Sequence, residues 1–207
     1  MGKRSSGRQK LQIAQEAARL IVEEGIEDYQ LAKRKACERL GLSPKSVFPR
    51  NQEVEQAVLE YQRLFAGDGQ QAELQHLRRV ALEVMKLLGG FEPRLAGPVL
   101  KGTANALSDI HLHVFSDDAK SVAITFLNAD QSYQSVDRRM TEDNPQGIPG
   151  FRLLWRGANV EVLVFPYDGL RAAPPSPVNG KPMRRADMVE VSALLEDEQV
   201  SVVSHIK

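Results

Sequence analysis

The feature that most constrains the fold lies between Leu95 and Phe115. There Asp109, His111 and His113 interleave with Ile110, Leu112 and Val114. A period of two is that of a strand, and it sends the three polar side chains to one face and the aliphatic ones to the other. The aliphatic face must be covered, so the strand belongs to a sheet with a second layer packed on it. Just upstream, Leu95-Ala96 reads as a short strand. Gly97-Pro98 follows as a turn into a brief helix, and Gly102 ends that helix before the polar strand begins. Glycine tolerates backbone angles and close approaches that a Cβ forbids, so Gly97 and Gly102 mark places where the main chain can hold a ligand closely.

Helical periodicity dominates the chain before this stretch. Residues 10–24 set Ile13, Ala17, Leu20 and Ile21 on one face, with Gly25 as the stop. Tyr29, Ala32, Ala36 and Leu40 mark a second helix ended by Gly41, and Ser43-Pro44 predicts the start of a third, short one. From Asn51 a longer amphipathic segment carries Val54, Val58, Tyr61 and Leu64, up to the loop at Gly67-Asp68-Gly69. These elements predict a helical module over residues 1–70. Residues 71–88 then present Leu74, Leu77, Ala81, Val84 and Leu88 as a stripe stopped by Gly89-Gly90. That helix is expected to pack on the sheet.

After the polar strand, a helix is expected from Asp117 to Asn128, capped by Ser116 or Asp117 and buried through Val122, Ile124, Phe126 and Leu127. Tyr133 to Met140 reads as extended, and Thr141 to Pro149 as a connection. Phe151–Arg156 and Val160–Phe165 read as a hairpin around Gly157-Ala158-Asn159. In its second strand Glu161 shares a face with Leu163 and Phe165, which places a carboxylate on a core strand. A proline-rich connection over residues 171–182 leads to a helix from Met183 to Glu196 with Met188, Val191 and Leu195 inward. Gln199 to Lys207 reads as a short strand or a frayed tail. The fold class expected over residues 71–207 is therefore α+β.

Composition narrows the function classes. Lys plus Arg and Asp plus Glu each total 27, so no overall field draws the chain to nucleic acid or an anionic membrane. A small basic arm, Lys3, Arg4, Arg8 and Lys10, stands at the start. The single cysteine, Cys37, excludes an intramolecular disulfide and a cysteine-rich zinc site and suits a reducing compartment. No apolar run approaches the ~20 residues that span a bilayer, and the polar start has no signal-peptide core. A cytoplasmic protein with no membrane partner is expected.

The run Leu95-Ala-Gly-Pro-Val-Leu-Lys-Gly-Thr-Ala-Asn-Ala-Leu-Ser-Asp-Ile-His-Leu resembles the signature of the nucleotidyltransferase superfamily, the polymerase-β-like fold. In that signature an apolar strand leads to Gly-Ser, a second glycine, and then Asp-x-Asp on the next strand. The resemblance implies a mixed sheet covered by helices on one face over residues 71–207, and that Gly97, Gly102, Thr103 and Lys101 shape a nucleotide phosphate pocket. It implies that Asp109, His111 and Glu161 stand where the family's three metal-binding catalytic carboxylates stand. The cofactors implied are an NTP and a divalent metal: Mg, or Mn or Zn as softer choices. The activity implied is transfer of a nucleoside monophosphate to an acceptor hydroxyl.

Two positions depart from the signature. His111 replaces the second carboxylate and so removes a negative charge from a site meant for hard cations. Pro98 replaces the serine and removes an N–H donor from the phosphate turn. Three readings stay open: a binding or regulatory module on a retained fold, a transferase using a softer metal, or a coincidental strand–turn–strand with ordinary histidines. His113 reads as a satisfied histidine near the sheet surface. Lys101, Arg152 and Arg156 could offer positive charge to a phosphate, and Arg184-Arg185-Ala-Asp187 reads as a solvated helix start.

The helical module supports a different class of function. Ala32-Lys-Arg-Lys-Ala-Cys-Glu-Arg-Leu-Gly-Leu-Ser43 resembles the first helix and turn of a helix-turn-helix, and Ile13 to Gly25 the helix that precedes it in TetR-like regulators. That implies a DNA-binding regulator with a C-terminal sensor or dimerisation domain, reading nucleic acid through Pro44–Arg50 with Lys45, Ser46 and Arg50. The competing reading is a packing module whose Lys33-Arg34-Lys35 is a solvated face.

Overall fold

The computed structural model describes residues 2–43, 47–65, 68–139 and 147–204. It is an α+β structure whose chain forms two compact units. One comprises residues 1–73 with 102–108 and 176–181, and the other residues 74–101, 109–175 and 182–207.

The first unit is built on helices α1 (Gly2–Glu24), α2 (Tyr29–Arg39) and α3 (Asn51–Phe65) and the beginning of α4 (Asp68–Leu87). Ile13, Ala14, Ala17, Leu20, Ala32, Ala36, Cys37 and Val54 bury together as its core. Small alanines at the contacts allow the helices to approach closely. Asp28 caps α2 by accepting from the Leu31 N–H at 2.7 Å. Gly41, at φ +61°, follows the helix in the left-handed conformation that a C-terminal cap favours. Gly25, at φ +67°, ends α1, and the side chain of Leu107 lies against it.

Lys33 does not belong to a solvated face. It is only 4% exposed, and its ammonium donates to Asn51 Oδ1 at 2.7 Å and to the Pro49 carbonyl at 3.3 Å. Burial lowers its pKa, against the opposing charge of Asp28. The helix expected over Pro44–Arg50 is not present at Val47–Arg50, which has no regular structure, and Pro44–Ser46 lie outside the described residues. Pro49 brings no N–H, its carbonyl is bound by Lys33, and α3 begins instead at Asn51. There Glu53 reaches back to the Arg50 N–H at 2.6 Å, half of a capping box.

The two short inserted segments complete this unit. Asn105 donates its amide to the Val22 carbonyl at 2.7 Å, near the end of α1, and Gln62 donates to the Thr103 carbonyl at 2.9 Å. Asn51 donates to the Pro177 carbonyl at 2.6 Å.

The second unit holds a five-stranded mixed sheet of order β1-β2-β5-β4-β3. The strands are β1 (Arg94–Ala96), β2 (Ile110–Phe115), β3 (Gln134–Arg138), β4 (Ile148–Trp155) and β5 (Ala158–Phe165). Only β2 and β5 pair in parallel, in register from Ile110 opposite Val160 to Phe115 opposite Phe165. One face carries Ile110, Leu112, Val114, Val160, Val162, Phe151 and Leu153, all buried. Helices cover it. On α6 (Ala119–Asn128), Phe126 meets Phe151 edge-on at 5.8 Å. On α4, Glu83 accepts from the indole N–H of Trp155 at 3.0 Å.

Several expected elements shift. The hairpin turn is Arg156-Gly157, both at positive φ (47° and 85°), the two-residue geometry that matches strand twist, so the loop is one residue shorter than expected and β5 starts at Ala158 rather than Val160. Strand β4 starts at Ile148, earlier than Phe151, because its first residues pair with β3. Asp118, rather than Ser116 or Asp117, caps α6 through the Lys120 N–H at 2.9 Å; Asp117 is engaged by the Tyr167 N–H. Removing that cap by Asp118→Ala is expected to lower stability by ~1 kcal/mol, measured as a shift in urea midpoint with unchanged slope. Ile124 and Leu127 are 54% and 63% exposed, so α6 buries only Val122 and Phe126.

The last helix, α7, spans Met188–Ser204, and residues 199–204 are thus helical rather than strand. It starts five residues later than expected for a tertiary reason. Ala186 pairs with Leu95 across the edge of β1, which holds that segment extended, and Asp187 and Glu190 then form a reciprocal cap.

Candidate functional site

The candidate site lies on the sheet's second face, where His111 of β2 stands beside the β1–α5 turn. Gly97, at φ +72°, closes β1 and opens the five-residue helix α5 (Gly97–Lys101). A Cβ there would lie 2.8 Å from His111 Cδ2, so the glycine is what lets the imidazole pack on the turn. Pro98 sits in the first turn of α5, where an N–H is dispensable. Gly102, at φ +80°, ends α5. Thr103 is buried in the helical unit, where its carbonyl accepts from Gln62. Lys101 is half-buried at the end of α5, and Asp109, also half-buried, stands one residue before β2.

His111 and Glu161 lie opposite each other on the parallel pair. His111 Nδ1 is 3.2 Å from Glu161 Oε2. Arg152, cross-strand from Glu161 on β4, donates from Nη2 to Oε1 at 3.0 Å, and Arg138 reaches from β3 across β4 to Oε2 at 3.6 Å. The carboxylate is 2% exposed, whereas the side chains of Arg138 and Arg152 are 44% and 45% exposed. Burial alone would raise the Glu161 pKa. The hydrogen bond from His111 and the charge of Arg138, with further contributions from His111 and Arg152, outweigh it and bring the value to about 2. Glu161 is therefore an ionised, buried base plate beneath two guanidinium groups that reach water.

Beside it, His113 is buried rather than near the sheet surface. Arg185 Nε donates to His113 Nδ1 at 2.9 Å, so that nitrogen is an acceptor and the ring is neutral with its proton on Nε2. Burial first, then the charge of Arg185, lowers the His113 pKa to about 3. Arg185 also donates to the Gly169 carbonyl at 2.6 Å and stacks 4.8 Å above Phe165 and 5.1 Å above Phe115. It is not part of a solvated helix start. Its inward turn follows from the Leu95–Ala186 bridge, a long-range contact with no local sequence signal.

The structure thus gathers His111 and Glu161 and adds Arg138 and Arg152 to them. The Asp109 side chain makes no hydrogen bond or ion pair with any described residue. Among the described residues, no group of three or more His, Cys, Asp or Glu side chains stands as a metal cage. A divalent ion at Glu161 would meet two guanidinium groups already on its oxygens, and cations repel at such range. As arranged, the donor set does not fit a divalent metal. Arg156 is engaged with Glu83 at the hairpin turn, at 2.5 Å. Cys37 is buried with a raised pKa, the state of an inert thiol. Arg152 was a candidate from sequence. Arg138 was not, and its only prior signal was a basic residue on an extended segment.

No protein-family model matches the chain, and no curated protein matches it significantly. Among solved structures, that of a cytoplasmic RNA terminal U-transferase is similar at 20% identity and a TM-score of 0.29. The likeness is loose and partial: it covers 45% of this chain, which spans about a quarter of the other, 27%. No helix among the described residues is long and apolar enough to cross a membrane.

Proposed function

We propose that the sheet-bearing unit is a nucleotidyltransferase-like domain that binds a nucleotide and does not transfer it. The observation that carries this reading is the state of Glu161. The carboxylate that the sequence signature assigns to a metal is instead held by His111, Arg138 and Arg152. The glycine frame supports the same reading, because Gly97 keeps the tight turn while Pro98 contributes no donor to it. Asp109 is the one carboxylate of the expected triad left unengaged. With a single open carboxylate and no cage among the described residues, metal-activated attack by an acceptor hydroxyl lacks its main source of rate.

The DNA-regulator reading draws less support. Lys33 is spent inside the helical unit, and no helix is present at Val47–Arg50 to present side chains to base edges.

Calorimetric titration with ATP, GTP, CTP and UTP, each with magnesium, manganese or zinc, tests the proposal together with an assay for released pyrophosphate. The expected result is binding of at least one triphosphate with pyrophosphate release at background. Release abolished by Asp109→Ala would establish an active transferase and overturn the claim of binding without turnover. No binding of any triphosphate would overturn the nucleotide reading itself.

A further inference from the structure

We propose that Arg138 and Arg152, held side by side by Glu161, form a metal-independent seat for the phosphate or pyrophosphate group of a small-molecule ligand. This deepens the nucleotide reading and rests on it for the identity of the ligand. One guanidinium neutralises Glu161, and the structure supplies two, so the cluster carries a net positive charge even with His111 neutral. A buried carboxylate that needed only neutralisation would be satisfied by Arg152, which lies directly cross-strand at 3.0 Å. Arg138 reaches across an intervening strand to join it.

Geometry makes the same point. Glu161 is at the bottom of the cluster, nearly fully buried, while both arginine side chains are close to half exposed. The carboxylate takes a hydrogen bond from Arg152 and an ion pair from Arg138, and among the described residues neither guanidinium engages another side chain. A guanidinium carries five N–H donors in a rigid fork, and Glu161 takes one hydrogen bond, from Arg152 Nη2, while Arg138 Nε pairs with it by charge at 3.6 Å. Forks oriented by a shared carboxylate, with donors left over, suit bidentate recognition of a phosphate. The same charge that attracts a phosphate repels a divalent cation, so this seat takes the anion without the metal that the sequence signature implies.

The test is titration of the full chain with sodium pyrophosphate, tripolyphosphate and ATP in buffer containing EDTA. It is followed by calorimetry and by the fluorescence of Trp155, the only tryptophan of the chain and three residues beyond Arg152 on β4. Binding is expected in EDTA, with the dissociation constant raised roughly 10- to 100-fold by Arg152→Ala or Arg138→Ala and only partly restored by lysine. Circular dichroism checks that each variant is folded. Should Arg152→Ala unfold, Arg138→Ala on the exposed edge strand still decides the matter.

Triphosphate binding that requires magnesium, is lost in Asp109→Ala and is unchanged in both arginine variants would overturn this seat and leave the nucleotide reading standing. Pyrophosphate binding that needs the arginines, with no preference for any nucleotide over tripolyphosphate, would uphold the seat and remove the nucleotide reading. An oligonucleotide that binds more tightly than tripolyphosphate, through the same arginines, would overturn the small-molecule assignment. So would an absence of binding by every anion, with the arginines then serving only to neutralise Glu161.

Discussion

Glu161→Gln is expected to destabilise the protein by about 2 kcal/mol at pH 7 and by almost nothing near pH 2. The glutamine keeps the shape of the side chain and removes the charge that Arg138, Arg152 and His111 surround. The folded-state pKa of Glu161 is depressed from 4.5 to about 2. A depressed carboxylate pKa contributes stability that is complete above the unfolded value and is lost as the pH falls through the folded one. The window is therefore pH 4.5 down to about 2. At ~1.4 kcal/mol per unit the shift corresponds to roughly 3 kcal/mol, lowered here because the guanidinium ends are half in water. Urea midpoints of wild type and variant, measured from pH 7 to pH 2, should converge at the acid end. Curves that stay parallel throughout would show that the cluster does not stabilise the fold through this charge.

Gly97→Ala should cost more, about 2–4 kcal/mol, because two independent penalties meet at one atom. The backbone at φ +72° is in the left-handed region, which costs an L-residue ~1–2 kcal/mol. The new methyl would also lie 2.8 Å from His111 Cδ2 and would push the imidazole away from Glu161. The contact is with a side chain, so the second penalty can be removed separately. In the double variant Gly97→Ala, His111→Ala the clash disappears while the backbone strain remains, and the two substitutions should be less than additive by ~1 kcal/mol or more. Strict additivity in denaturant titrations would mean that the turn does not need its glycine for the sake of His111.

These two residues also show how far the sequence could be read. The glycine turn, the alternation in β2, the hairpin and the placement of Glu161 with Leu163 and Phe165 follow from short-range patterns, and the α+β class follows from them. What surrounds Glu161 does not. Its contact with His111 depends on the parallel register of β2 and β5, fifty residues apart in the chain. Arg138 depends on how β3 pairs with β4. Nothing near position 138 marks that arginine as different from the exposed basic residues found on many edge strands. The same limit explains Lys33. Beside Arg34 and Lys35 it looks solvated, yet Pro49 and Asn51, brought back by the α2–α3 connection, bury it.

Helix ends divide along the same line. Asp28 at the start of α2 and Gly41 at its end act through bonds to residues a few positions away. The start of α7 instead waits on Ala186, which Leu95 holds in an extended bridge. By itself, then, the sequence determined the α+β class, the order of most strands and helices and where a glycine must turn the chain, because those properties arise from sterics and periodicity within a few residues, whereas several element ends and the outer face of α6 did not follow from it. Only the tertiary structure decided that the carboxylate on β5 lies between His111 and two guanidinium groups: the hairpin turn places Arg152, but His111 and Arg138 arrive through the β2–β5 and β3–β4 pairings, whose register no local interaction sets.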